Sequence, residues 1–403
     1  MSTQEGLGLA KIHVPSAPTV ARDRLNLTIL IAWRNLVHDR LRFAVTLVGI
    51  AFTTILVGVQ LGLLLNFVNT VSTIVDHAGA DLWIAAQGVR SVDLATPIEA
   101  RRRFQALSVD GVAKAESYLL HFGFWKRGVD GNREIVIIVG VEPNAEMGLP
   151  WAMTSGESVR DALASPDGIL IDRIYAEKLG VKSLNQVVEI NNHRARVVGF
   201  TDGIRTFTQS PYVFTSLRNA QSLLSSADNG ITYVLIQVAK DRTPEEVARA
   251  LSERMPDIDV LQSRRFSRKS QDYWLMTTGA GVSLVSSSIL ALLVGAVVVA
   301  QTLYASTMDR LPEYAVIRAM GGPRSYLYKI VIQQAVFGGA LGGAIGIAIV
   351  LALAHFAKDT SAPPIVPPWL VLGIGIITVA TCIAASLVSL SKITAIDPVK
   401  VFR

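Results

Sequence analysis

Asp309-Arg-Leu-Pro-Glu-Tyr-Ala-Val-Ile-Arg-Ala-Met-Gly-Gly-Pro323 is a short polar run set between two segments apolar enough to cross a bilayer. Its pattern predicts a helix lying at the membrane surface. Pro312 suits a first helical turn, where a missing N–H is no loss, and Glu313 sets a negative charge at the positive end of the helix dipole. Gly321, Gly322 and Pro323 stop the helix. Tyr314, Ile317 and Arg318 recur at three- and four-residue spacing, so one face is able to lie against a partner while Ala315 and Ala319 permit close approach. Arg310 adds a cation to the same stretch. The plainer reading is an ordinary connector between two spans.

The flanking segments make this a membrane protein. Of 403 residues, 50% are hydrophobic and 17% charged, too apolar a balance for a typical soluble enzyme. Spans are expected at about 43–68, 280–304, 328–357 and 368–391. The third carries Gly338, Gly339, Gly342, Gly343 and Gly346, overlapping Gly-x-x-x-Gly pairs that let a second helix approach closely, whether from this chain or from another copy. Residues 1 to about 22 read as a loose tail without the apolar core of a cleavable signal peptide, and Leu25–Arg42 as an amphipathic interfacial helix with Trp33 at headgroup level. Arg34, Arg40 and Arg42, then Arg310, Arg318, Arg324 and Lys329, then Lys392, Lys400 and Arg403 all fall on one side of the spans. That side is expected to be cytoplasmic, with both termini inside and residues 69–277 outside.

Between the first two spans the character changes. Charges, glycines, prolines and alternating apolar patterns return over residues 69–277 and predict a folded, water-exposed domain. Strands are expected near 81–86, 114–126, 134–141, 168–171, 187–191, 195–200, 212–215 and 232–238, and helices over 97–107, 172–179, 216–225 and 244–254. Strands mixed with single helices indicate α+β.

Several chemistries lack their residues. No Gly-x-x-x-x-Gly-Lys-Ser/Thr loop occurs, so any ATP and Mg must be held by a separate chain. The 6 histidines are scattered and the single cysteine, Cys382, lies inside a span, which argues against a metal site and a disulfide. Gly-x-Ser-x-Gly is missing, so no catalytic residue is assigned. The span centres hold no Asp, Glu or Arg, which argues against an ion-coupled carrier and a wide polar path. The basic residues flank spans instead of forming a nucleic-acid patch.

The coupling stretch Asp309–Pro323 resembles that of the FtsX/MacB-type ABC transporter permeases, and its Leu311-Pro312-Glu313-Tyr314-Ala315 run is most similar to the DevC-type permeases. Ala32–Leu36 resembles the entry of the same superfamily, and Lys392–Arg403 its basic, Asp-Pro-containing tail. Arg101–Leu107, Val109–Val112 and Phe122–Lys126 resemble the DevC-type external domain. The resemblance implies four transmembrane helices, one before and three after a large external domain, in a permease region over residues 278–403 of a bacterial inner-membrane protein. It also implies a homodimer, a separate ABC ATPase that contacts Arg310, Pro312, Glu313, Tyr314, Ile317, Arg318 and Gly321, and a periplasmic adaptor with an outer-membrane channel for exporting glycolipid or other envelope material. Arg101, Arg102 and Arg103 read either as a solvated helix face or as a contact for adaptor or lipid. An FtsX-like regulator of a cell-wall hydrolase, or a lipoprotein-releasing permease, is the alternative.

Overall fold

The computed structural model describes residues 40–94, 96–128, 131–156, 158–225, 230–310, 312–313, 315–316, 320 and 323–394. The N-terminal tail, nearly all of the Leu25–Arg42 helix and the tail beyond Thr394 lie outside them. In chain order the helices are α1 (Arg40–Asp76), α2 (Arg102–Leu107), α3 (Val159–Ala164), α4 (Ala176–Leu179), α5 (Leu217–Leu223), α6 (Pro244–Arg254), α7 (Ser263–Asp272), α8 (Gly279–Asp309), α9 (Arg324–Phe356) and α10 (Pro368–Thr394). The strands are β1 (Leu82–Ala86), β2 (Val112–Lys126), β3 (Arg133–Val141), β4 (Met153–Gly156), β5 (Gly168–Asp172), β6 (Val187–Ile190), β7 (His193–Thr201), β8 (Tyr212–Ser216), β9 (Tyr233–Val238) and β10 (Ile258–Gln262). Four helices, α1, α8, α9 and α10, are long and apolar enough to cross a membrane.

The chain forms two compact units, residues 1–58, 290–351 and 366–403 in one and 59–289 with 352–365 in the other. In the first, Ile50 of α1, Val299 and Leu303 of α8, Ala335 of α9, and Cys382 and Ala385 of α10 make a shared core. Apolar side chains gain little from leaving lipid, so close backbone approach and dispersion hold such helices together.

The second unit is built on a sheet ordered β10-β1-β9-β2-β3-β8-β5-β7-β4, with β6 joining β2 and β7. Two pairs, β3 with β8 and β5 with β7, are parallel and the rest antiparallel. The continuous apolar run of β3 is explained by burial on both faces. Ile137, Val139 and Val141 point into one core, and Val136 and Ile138 into another. The first face meets Ile74, Val75 and Ala78 at the end of α1 and Phe266 of α7. There the Trp83 ring is edge-on to Tyr118 and Tyr233 at 5.7 and 5.2 Å. Tyr175, Leu179, Ala220 and Leu223 cover one end of the opposite face, and Ala106, Val247, Leu251 and Met255 the other. Each fully buried Leu or Val contributes about 1.5–3 kcal/mol.

Departures from the sequence reading have local causes. α1 runs on to Asp76, well past the expected end of the first span, because its last turn is buried: Ile74 and Val75 belong to the core of the sheet domain. The helix expected from Pro97 starts only at Arg102, since Ile98 pairs with Ile231 as a bridge, its N–H 2.6 Å from the carbonyl. Strands β4 and β10 and helices α3 and α7 were not expected. By contrast α6 begins at Pro244 behind a reciprocal Thr243–Glu246 capping box, as its sequence signals.

Candidate functional site

The polar stretch starts where α8 ends. Pro312, Glu313, Ala315 and Val316 are helical, and Pro312 and Glu313 are exposed. Tyr314, Ile317, Arg318 and Gly321 lie outside the described residues. Arg310, grouped with them by sequence, is only 7% exposed and points inward, toward Phe43, Thr46, Ser306 and Gln334. Sequence reasoning passed over Val316 and Met320, both exposed and joined by the Met320 N–H to Val316 carbonyl bond at 3.1 Å. Their four-residue spacing from Pro312 was the available signal.

The glycines of α9 lie in two rows. A Cβ on Gly342 would stand 2.8 Å from Ile50 Cβ, and one on Gly346 would stand 2.6 Å from Thr54 Cβ and 2.9 Å from the Ala51 carbonyl. Gly338 faces Ile50 too, at 3.6 Å. The second row faces α10: Gly339 meets Cys382 and Val379 at 3.2 and 3.3 Å, and Gly343 meets Thr378 at 3.4 Å. Between the rows the Thr54 and Thr378 hydroxyls are 3.3 Å apart. The neighbours these glycines admit therefore belong to this chain.

In the second unit, polar bonds tie the end of α1 to α7. Ser72 Oγ donates to Asp76 Oδ2 at 2.7 Å, Ser267 Oγ donates to Asp76 Oδ1, and Gln271 Nε2 donates to Ser72 Oγ at 2.8 Å. α7 passes through a π-helical turn, Tyr273–Thr277, into the extended residue Thr278. Such turns mark functional joints more often than chance. Thr278 Oγ1 donates to the Trp274 carbonyl at 2.6 Å and accepts from the Gly281 N–H at 3.3 Å, capping α8. Trp274 Nε1 donates to Ser91 and Asp93, each at 3.0 Å, and Phe207 lies between Trp274 and Phe67, tilted against the first at 4.4 Å and edge-on to the second at 5.6 Å. The loop after α9 is pinned here as well: Arg205 donates to the Lys358 and Thr360 carbonyls, and the Ile365 N–H to that of Gly62 at 3.0 Å.

The arginine run of α2 is engaged at home. Arg101 pairs with Glu99, Arg102 with Asp257, and Arg103 with Glu142 at 2.8 Å. Only Arg101 keeps a mostly exposed side chain, and exposed pairs of this kind add little stability. Among the described residues no group of three or more His, Cys, Asp or Glu is placed to hold a metal ion.

One unit thus holds an α+β sheet domain, and four helices of the chain are long and apolar enough to cross a membrane. Two family models divide the chain accordingly: a MacB-like periplasmic core domain over residues 43–254 and an FtsX-like permease C-terminal region over residues 285–398. The protein belongs to the FtsX/MacB-type ABC transporter permeases. An uncharacterised ABC transporter permease protein of Mycobacterium tuberculosis is 23% identical over 63% of this chain and 29% of its own length. Another permease of that organism is 23% identical over 57% of this chain and 61% of its own length. The chain thus spans about a third to three fifths of these relatives. Among solved structures, the periplasmic region of MacB from Actinobacillus actinomycetemcomitans aligns at TM-score 0.37 and 12% identity, covering 48% of this chain and 94% of that one. The extracellular domain of the noncanonic ABC-type transporter YknZ from Gram-positive bacteria aligns at 0.34 and 15%, covering 45% and 99%.

Proposed function

We propose that the chain is the non-catalytic membrane subunit of an ABC exporter. A separate ATPase, which holds ATP and Mg, acts on the stretch around Pro312 and Glu313, and the movement travels along α1 and α8 to the external domain. The observation that carries this reading is the continuity of α1: one helix starts at Arg40 and ends with Ile74 and Val75 buried in the core of the domain. The polar bonds from Asp76 and Ser72 to α7, and the turn from α7 into α8, give the second helix the same attachment. In this reading residues 305–327 and both termini are cytoplasmic and the domain is periplasmic, as the basic residues favour. The protein works as a homodimer in a bacterial inner membrane. Its cargo is lipid, glycolipid or other envelope material, passed to an adaptor and an outer-membrane channel, as the DevC-type resemblance implies.

The test is Glu313→Lys in the full-length protein reconstituted with its ATPase. Reversing this exposed charge is expected to cost about 1–3 kcal/mol of interface free energy. Stimulated ATP hydrolysis and export should both fall while the thermal midpoint stays at the wild-type value. Full stimulation by the variant at normal membrane levels would reduce the stretch to a connector. A wild type that stimulates the ATPase and co-purifies with a cell-wall hydrolase, yet moves no envelope material, would replace export by the regulator reading.

A further inference from the structure

Within the bundle, at the end nearest Arg310, all four spanning helices contribute to one small polar cavity. Phe43 and Thr46 come from α1, Ser306 and Thr307 from α8, Gln334 and Gly338 from α9, and Ser386 from α10. Two of the hydroxyls are occupied by their own helices: Thr307 Oγ1 donates to the Leu303 carbonyl at 2.7 Å and Ser386 Oγ to that of Ile383 at 2.8 Å. Into this cavity points Arg310, 7% exposed, with its Nη1 fully enclosed and without a hydrogen-bond partner. Among the described lining residues there is no carboxylate. A guanidinium is charged at every physiological pH, so it cannot escape the cost of burial by losing a proton, and an enclosed donor of this kind calls for an anionic acceptor.

We propose that Arg310 and this cavity form a binding site for a phosphate oxygen, supplied by an anionic phospholipid of the adjoining leaflet. The accessible space is about 30 Å³, the size of one oxygen-bearing group and too small for a whole phosphate. A phosphate therefore inserts one oxygen and keeps the others at the mouth. A lipid phosphodiester does this without leaving the membrane surface, where the end of a spanning helix already places it. The planar fork of Arg310 suits a phosphate better than a point charge does. Such a lipid would bind all four helices at their Arg310 end and make the bundle depend on lipid charge. This site is independent of what the protein transports.

The experiment uses the full-length protein, delipidated in mild detergent, with phosphatidylglycerol as the anionic probe and a phosphate-free galactolipid of the same acyl chains as the neutral one. Native mass spectrometry reads lipid retention and a melting curve reads stabilisation. The wild type should retain phosphatidylglycerol and melt later with it, the galactolipid should do neither, and Arg310→Met should retain about tenfold less. Lys329→Met, at an exposed cation near the same helix ends, should behave as wild type. An excess of inorganic phosphate that reproduces the stabilisation and displaces the lipid would keep the site and assign it to a free anion. Equal retention by wild type and Arg310→Met, or a wild type that responds to neither anion, would overturn the proposal. If Arg310→Met fails to accumulate, Arg310→Lys takes its place: a smaller but measurable loss supports the site, and unchanged retention overturns it.

Discussion

At position 281 only a hydrogen fits. A Cβ there would stand 1.9 Å from the Trp274 carbonyl oxygen and 2.5 Å from Leu275 Cα, and both obstacles are backbone. Gly281→Ala must therefore open the π-turn or break the Thr278 cap. It is expected to cost about 1–3 kcal/mol, as overpacking does, seen as a lowered thermal midpoint together with reduced ATPase stimulation. Gly279→Ala is the control, because a Cβ at that position meets nothing within 4 Å. If the two variants melt alike, the turn is softer than its geometry implies. Neither Gly281 nor the inward course of Arg310 was legible in the sequence. A glycine at the start of an apolar run looks the same whether or not the chain doubles back on it, and an arginine beside a span looks like one more interfacial cation.

Among the elements, α9 shows what periodicity tells and what it leaves out. The glycine pairs announced a helix that neighbours approach, but they did not say that Gly338, Gly342 and Gly346 face α1 while Gly339 and Gly343 face α10. Gly342→Leu should drive a side chain into Ile50 and the Leu47 carbonyl and lower the detergent-solubilised midpoint, whereas Gly373→Ala, with nothing nearby, should leave it unchanged or slightly raised. A midpoint unmoved by Gly342→Leu would mean that α1 and α9 are looser than drawn. The spans and strands β2, β3 and β9 were readable because their apolar runs are long. Helix α7 was not, since Ser-Arg-Arg-Phe-Ser-Arg-Lys-Ser-Gln-Asp has one large apolar residue, and its inward face is completed by the small Ser267 and Ser270. Strand β4, Met-Thr-Ser-Gly, has too little β-branched or aromatic content to stand out, and its pairing with β7 supplies what its composition does not.

For the whole molecule, two arrangements await measurement. A cysteine placed at Asn132 should react with an impermeant label in intact cells and one at Asp309 should not; the reverse would invert the proposed topology and with it the route of coupling. Leu41, Val45, Val48 and Phe52 form an exposed apolar stripe on α1 at alternating four- and three-residue spacing, the seam on which a second copy is expected to pack. Cysteines at Val45 or Val48 should cross-link into dimers in native membranes, and one at Thr54, turned inward to Gly346, should not. Absence of any dimer band along the stripe would favour a lipid-facing surface. The length of α1 has a consequence of its own. Its 37 residues make a rod of about 55 Å, while the hydrocarbon layer it crosses is about 30 Å thick. The excess of about 25 Å is roughly 17 residues of helix whose main-chain hydrogen bonds are all made within the helix, so the chain can leave the hydrocarbon layer without exposing an unpaired backbone group at its edge.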